Sequence, residues 1–503
     1  MAQTRRAGSD LGSQSPSLGP QILRVVLGIC LLAALAYFFA RGGNFANTPP
    51  ARPQLGDATP PADAQRAVCG QPSRDGHPVD IDMLYSADKR AWIEAAADRF
   101  SHLCPNIQVK LTALEDLDAI QALLAGTLRP AVWSPSDELS VRLLAHRRSQ
   151  QAGMPPLAIV QKDSLVESPL VLLIWEDRLR VLSTLLQSEP SSEGLWLRTR
   201  CPLIPRSPSL AGMTTPAMVP GSWADWYAAL NPSSVSPAGP RAASVVPTPS
   251  VQGPSGSELP SWGRVKVGSL MPTRYASGVA ALYLLAFDYV VPPALRQAAT
   301  GTAIDATPNA QDSRSAQQEQ WAAVFEEGVA AKKESLQIWL RRCQAGQRIP
   351  AMSEQALAES MFNLGPSEFD AVVTSEHATL PLLDRLDSHE DGARKLAVFY
   401  PTPTRVLRHP AVLFATDARR RDAAQKWTEF LRGEAMQKLA LASGFRPVHP
   451  AVAARELHGG QSRFLRLRRF GITPDRTWTE APLPSGRALH DLMTIWGEAT
   501  GRY

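Results

Sequence analysis

Hydroxyl side chains recur in this sequence where a strand hands over to a helix. Ser86 follows the run from Val79 to Tyr85, and Ser134-Pro135-Ser136 follows Ala131-Val132-Trp133. Thr273, Ser277 and Gly278 follow Val265, Val267 and Leu270, and Thr374-Ser375 follows Phe369 to Val373. A helix start offers unpaired backbone N–H groups and a partial positive charge, so such a turn holds a polar or anionic ligand without covalent chemistry. The same residue types also simply cap helices. Both readings stand at this point: four caps, or two or more turns meeting at one ligand.

Other chemistry is thinly represented. The nine histidines form no HExxH or equivalent spacing, and no GxSxG elbow, P-loop or GxGxxG follows a strand. Glu115, Asp116 and Asp118 cluster, as acidic helix starts do, and His409-Pro410 reads as a structural turn. No catalytic residue, metal or cofactor is expected, and the chain is not expected to be an enzyme.

The elements that carry the hydroxyl turns follow from periodicity. Trp92, Ala96 and Phe100 place a helix after Ser86, and a strand spans Ile107 to Leu111. Helices are expected over Leu117–Ala125, ending at Gly126, and over Asp137–Arg147. Leu157 to Glu176 reads as an extended crossing between lobes. Residues 188–263 are rich in Ser, Pro and Gly and read as an insertion, with one helical island from Ser222 to Asn231. The run Val279–Tyr289 is helical and apolar throughout. A single long helix is expected from Trp321 to Gln344, after loop-like residues 300–318, and another from Glu354 to Asn363. A strand over Leu396–Tyr400 and an extended piece over His409–Asp417 form a second crossing, followed by helices to Ser443 and a last helix from Ser485 to Glu498.

The chain has 503 residues, 44% of them hydrophobic and 20% charged, enough for two or three domains with real cores. A net charge of +5 over that length does not argue for nucleic acid. The most basic run, Arg463 to Arg469, suits a solvated face or a contact between lobes. The five cysteines lack paired CxxC spacing, which argues against a zinc site. Cys69 and Cys104 flank the first strand and helix: they form a disulfide if this part faces an oxidising compartment, and are two free thiols otherwise.

The N-terminus carries its own signals. Residues 1–20 form a polar tail, expected in the cytoplasm. Val25 to Ala40 is an apolar run of 16 residues, about 24 Å as a helix against a hydrocarbon core of about 30 Å. Ile22 and Leu23 lengthen it if Arg24 snorkels. The span 21–41 is therefore expected to be a single-pass anchor. Arg5, Arg6 and Arg24 before it place the bulk of the chain outside the cytoplasmic membrane, on the periplasmic side. Ala34-Leu35-Ala36 leaves a cleaved signal peptide open, and Leu27 to Cys30 faintly suggests a lipoprotein. Residues 42–77 are a Pro-rich linker.

From residue 79 to about 450, outside the insertion, the sequence resembles the bacterial extracellular solute-binding proteins of the two-lobed class that includes molybdate- and sulfate-type members. The resemblance is carried by YSADKRAW (Tyr85–Trp92), AVWSPSDEL (Ala131–Leu139), VESPLVLLI (Val166–Ile174), PTRYASG (Pro272–Gly278), FDAVVTSE (Phe369–Glu376), the Tyr400–Phe414 stretch and the Phe430–Pro447 stretch that ends in GFRP. It implies an α/β, two-lobed periplasmic-binding-protein-like fold of type II behind the transmembrane helix. The domain spans 78–455, with lobe 1 at about 78–160 and 405–455, lobe 2 at about 165–400, and a C-terminal extension at 456–503. By position, the ligand-facing residues are Ser86, Ser134, Thr273, Ser277 and Thr374, with Tyr275 and Tyr400 closing the cleft. The implied function is binding of a small polar or anionic solute by hinge closure, for ABC-type transport with a membrane permease. The anchor, insertion and extension depart from the family. They leave a second function open: a sensory or scaffolding subunit whose degenerate cleft gives way to a membrane protein partner.

Overall fold

The computed structural model describes Cys69 and residues 77–153, 159–187, 203–205, 218–220, 262–263, 265–292, 295, 308–343, 347–350, 352–388, 395–414, 416–455, 462–475 and 478–502. The expected anchor, linker and helical island at 222–231 lie outside them. Among the described residues, no helix is long and apolar enough to cross a membrane.

Three strand–helix units build the first lobe: β1 (Val79–Tyr85), α1 (Arg90–Leu103), β2 (Ile107–Ala113), α2 (Asp116–Ala125), β3 (Val132–Ser134) and α3 (Glu138–Ser149). β1 lies between β2 and β3, parallel to both. β4 (Ile159–Trp175) then runs out of this sheet, and α4 (Glu176–Gln187) follows. Within the insertion, β5 (Leu203–Pro205) pairs with β6 (Met218–Pro220). The second lobe repeats the plan with β7 (Val267–Gly268), α5 (Ala276–Val290), α6 (Pro308–Ala331), α7 (Lys333–Cys343), β8 (Gln347–Arg348), α8 (Glu354–Leu364), β9 (Ala371–Ser375) and α9 (Glu376–Ser388). Here β7 lies between β8 and β9, parallel to both. β10 (Leu396–Phe399) and β11 (Val406–Phe414) lead back, followed by α10 (Ala418–Arg432), α11 (Glu434–Ala442), β12 (Arg446–Pro447), the short α12 (Arg463–Arg466) and α13 (Gly486–Thr500).

Both lobes therefore show one strand order: second, first, third, then an antiparallel crossing strand. It is β2-β1-β3-β11 in the first and β8-β7-β9-β4 in the second. The 17-residue β4 belongs to both sheets. Its beginning pairs with β11, and its end pairs with β9 and β10. From Leu170 to Trp175 it is buried without interruption, as a strand covered on both faces must be. The architecture is a mixed α/β, two-lobed, periplasmic-binding-protein-like fold.

Three apolar cores hold it. One lies under β1 and α1 and joins Trp92 and Phe100 to Trp427 of α10. A second packs β4, β9, α8 and α9 around Leu173, Leu357, Met361 and Leu383. The largest crosses between the lobes, taking Leu139 and Leu144 of α3 together with α5, α6, α7 and α13. α5 sits at its centre: every residue except Tyr289 is buried, as expected for a helix apolar on all sides.

Several expectations are corrected. The single helix over Trp321–Gln344 is two helices, and the first begins at Pro308, inside the stretch read as a loop. The break falls at Lys332, whose ammonium donates to Val290 O at the end of α5, 3.3 Å away. His409-Pro410 is no turn; it lies within β11, where the pairing with β4 shifts register. The basic run lies on a solvated face, with Arg466, Arg468 and Arg469 exposed, and it is tied to α9 rather than placed between lobes. Arg463 and Arg466 pair with Asp384 of α9 at 2.5 Å, and Arg469 pairs with Asp387 at 2.7 Å. Of the two states left open for Cys69 and Cys104, the disulfide is the one formed.

Candidate functional site

β1 ends at Ser86, and the chain turns through a 3₁₀ segment, Ala87–Lys89, before α1. This turn drives a charge into the molecule. Lys89 has no exposed surface. Its ammonium donates to Ser86 Oγ, to Pro135 O at 3.2 Å and to His409 Nδ1 at 3.1 Å, and lies 3.6 Å from Asp88 Oδ1. Asp88 accepts from Ser86 Oγ at 2.5 Å and from Ser136 Oγ at 3.1 Å. Its other neighbours come from elsewhere: His409 Nδ1 of β11 at 3.7 Å, and His377 Nε2 of α9 in the second lobe at 4.0 Å. The cluster thus joins the first lobe, a crossing strand and the second lobe.

The electrostatics follow from burial. Burial works to raise the Asp88 carboxyl, but Lys89, the two histidines and the Ser86 hydroxyl outweigh it and hold it well below the ordinary range. Burial depresses Lys89 despite Asp88 and Asp116. It also depresses His409, with Lys89 adding to the effect, and His377, against the pull of Asp88. A neutral His409 accepting from Lys89 at Nδ1 keeps its proton on Nε2, a buried atom with no hydrogen-bond partner.

Carboxylates of the chain itself occupy the turns around this cluster. Asp116, first residue of α2, accepts from Ser136 N at 3.1 and 3.2 Å. Glu354, first residue of α8, accepts from Ser375 N at 3.1 Å, from Ser375 Oγ, and from Thr374 Oγ1 at 3.5 Å. Asp137 caps α3 through Leu139 N at 2.9 Å and pairs with Arg405 at 3.0 Å. His377 N is taken by Ser168 Oγ at 3.1 Å. Ser136 N, Leu139 N, Ser375 N and His377 N, which could otherwise hold an oxyanion at these turns, are thus already bonded. Crowding shows in the remaining acids: burial pushes Asp116 up to about 7, and burial together with Asp88 and Glu354 pushes Glu115 up to about 7. The lobes meet directly where Leu117 N donates to Arg274 O at 3.2 Å and Arg274 pairs with Asp118 at 3.5 Å.

The seven residues singled out in the sequence are distributed as follows. Ser86 is in the charge cluster, and Thr374 is on Glu354. Ser134 ends β3, and Ser277 is in the first turn of α5. Both are buried, and neither hydroxyl has a hydrogen-bond partner. Thr273 is half-buried in the turn before α5. Tyr275 is the N-cap residue of α5, buried, with the Arg274 guanidinium 5.6 Å from its ring centre. Tyr400 is engaged apart from the Asp88 cluster. Its hydroxyl donates to Glu376, which Arg446 holds with two bonds of 2.7 Å, and accepts from Thr473 N at 3.3 Å.

The residues that sequence reading passed over are Asp88, Lys89, Glu354 and His377, together with the role of His409. One signal was legible: Ser86-x-x-Lys89 has the spacing of a lysine-activated serine. The geometry does not complete that chemistry. Ser86 N donates to Ser134 O at 3.0 Å instead of waiting for an oxyanion, and Ser86 is only 2% exposed. Among the described residues, no group of three or more His, Cys, Asp or Glu is placed to hold a metal ion.

No protein-family model matches this sequence. No curated protein matches it. Solved structures that it resembles include the ferric binding protein from Campylobacter jejuni, at 10% identity over 84% of this chain and 98% of that one, with a TM-score of 0.41. The sulfate-binding protein of Mycobacterium tuberculosis aligns at 12% identity over 82% and 96%, with a TM-score of 0.38. The periplasmic molybdate-binding protein of Azotobacter vinelandii aligns at 11% over 73% and 98%, with a TM-score of 0.32. By name these are binding proteins for solutes, not enzymes. Scores of that size identify no fold by themselves; the two-lobed architecture rests on the repeated strand order and the two crossings.

Proposed function

We propose that this chain is a membrane-anchored, extracytoplasmic protein of the solute-binding type whose interlobe cleft is filled by its own charged side chains. It then serves as a sensory or scaffolding subunit that holds a protein partner at the membrane. The observation that carries this reading is the Lys89–Asp88 pair, buried between the lobes beside His377 and His409. The cation and the anion that a ligand would supply are both present in the chain. An entering oxyanion would meet the carboxylates of Asp88, Glu115 and Glu354 and find Ser136 N and Ser375 N already bonded. The apolar run within 21–41 supports the anchor. The Cys69–Cys104 disulfide, and the engagement of Cys343 in another, support an oxidising compartment.

A second reading is favoured by the buried, unpartnered hydroxyls of Ser134 and Ser277. In it, the cleft takes a small polar solute for an ABC-type permease. A thermal-shift screen with molybdate, sulfate, ferric ion, sugars and amino acids separates the two. The first reading expects an unchanged melting temperature throughout. A solute at a hundredfold excess over its dissociation constant would add about 2.7 kcal/mol of stability. Such a shift, abolished by Ser134→Ala with Ser277→Ala, would overturn the first reading and establish the second.

A further inference from the structure

The C-terminal segment touches the crossing strand and both lobes in turn. Trp478 lies against Tyr400, ring centres 4.9 Å apart. Residues 479–481 then pair with the start of the return crossing: Thr404 N donates to Thr479 O and Ala481 N to Thr404 O, each at 2.9 Å. Glu480 receives both arms of Arg408, at 2.7 and 2.5 Å. Pro482 O accepts from Tyr283 of α5, in the second lobe, at 2.5 Å. Leu483 O and Pro484 O each accept from Arg142 of α3, in the first lobe, at 3.2 Å. α13 then seats Leu489, Leu492, Ile495 and Trp496 in the core that contains α3, α5 and α7. Its entry is tight: a β-carbon on Gly486 would lie 2.1 Å from Arg142 O.

We infer that residues 478–500 form a clasp that fixes the two lobes in one arrangement and turns a hinged pair into a single body. Parting the lobes while the clasp is seated would pull either α3 or α5 from a shared apolar core and break the polar ties on one side. The inference depends on the two-lobed architecture and not on what the cleft holds.

The test uses the full chain in nanodiscs, with unnatural-amino-acid spin labels at Ser101 of the first lobe and Ser367 of the second, both exposed. The unmodified chain should give one narrow distance distribution. Leu489→Asp with Leu492→Asp should broaden it or add a longer distance, while far-UV circular dichroism still reports a folded protein. Arg142→Ala with Tyr283→Phe, Arg408→Ala and Glu480→Ala cuts the side-chain ties to both lobes and to the crossing strand and leaves the apolar seat intact; it should broaden the distribution less. If the first variant is folded and keeps the narrow distribution, the clasp is overturned. If it does not fold, the second decides: broadening supports the clasp, and an unchanged distribution overturns it. The distances are read without added solute, so a solute found in the cleft would alter the functional reading and leave this result standing.

Discussion

The residues with most consequence are acids held at the wrong pH. Asp116 is pushed by burial from an ordinary 3.8 to about 7, with Asp88 adding to the shift while Lys89 and the Ser136 bonds oppose it. Between about pH 4 and 7 the folded chain therefore keeps a proton that the unfolded chain has released. Stability from this group falls as pH rises across that window and is flat above it. Glu115 acts in the same direction from 4.5 to about 7. His377 and His409 act the other way. Burial lowers both, so below about 6.5 the unfolded chain takes up protons that the folded chain does not, and stability is lost as pH falls. The discriminating quantity is thus a difference. Asp116→Asn, which can still accept from Ser136 N, should gain on the parent by about 2–4 kcal/mol between pH 4.5 and pH 8. Urea unfolding at the two pH values measures it, and an equal difference at both would refute the assignment.

Among the elements, α13 depends on the closest backbone approach. Its first turn must lie against α3, and Gly486 permits this because no β-carbon stands between it and Arg142 O. Gly486→Ala should cost about 1–3 kcal/mol through overpacking against backbone that cannot step aside. Faster amide exchange in α13 should accompany the loss, while α1, on the far core of the first lobe, stays protected. Equal loosening of both helices would mean that α13 is not a separate seat. The same view explains α5. An all-apolar helix reads from sequence as a helix of one lobe, yet its surface is covered by neighbours from both.

At the scale of the molecule, a shared core has a thermodynamic signature. Two lobes with separate cores unfold independently when the interface between them is small and polar. Here the largest core contains α2 and α3 of the first lobe and α5 of the second, with α13 closing it. Residues 60–503 should therefore unfold in one calorimetric transition, with matching van't Hoff and calorimetric enthalpies. Two resolved transitions would show that the lobes are independent and that the core between them contributes little.

Much of this fold was legible in the chain. Alternation in Val79–Tyr85, helical spacing through Phe100 and the long apolar stretch of β4 are local patterns. They set element type without reference to partners. The order of those elements, and the hydroxyls that follow four strands, were enough to expect two lobes joined by two crossings. What the local patterns do not contain is which distant groups share one space. Nothing around Lys89 marks it as buried; its burial depends on His409, 320 positions away, and on Asp88 being held at the lobe junction. The carboxylates that occupy the anion-binding N–H groups come from helix starts about twenty residues from the turns they fill, Asp116 for Ser136 and Glu354 for Ser375. A hydroxyl at a helix start has one sequence signature whether it caps, binds a solute or bonds a neighbour's carboxylate. The choice among these is made by long-range packing, because the desolvation and Coulomb energies that decide it depend on distance in space and not on distance along the chain.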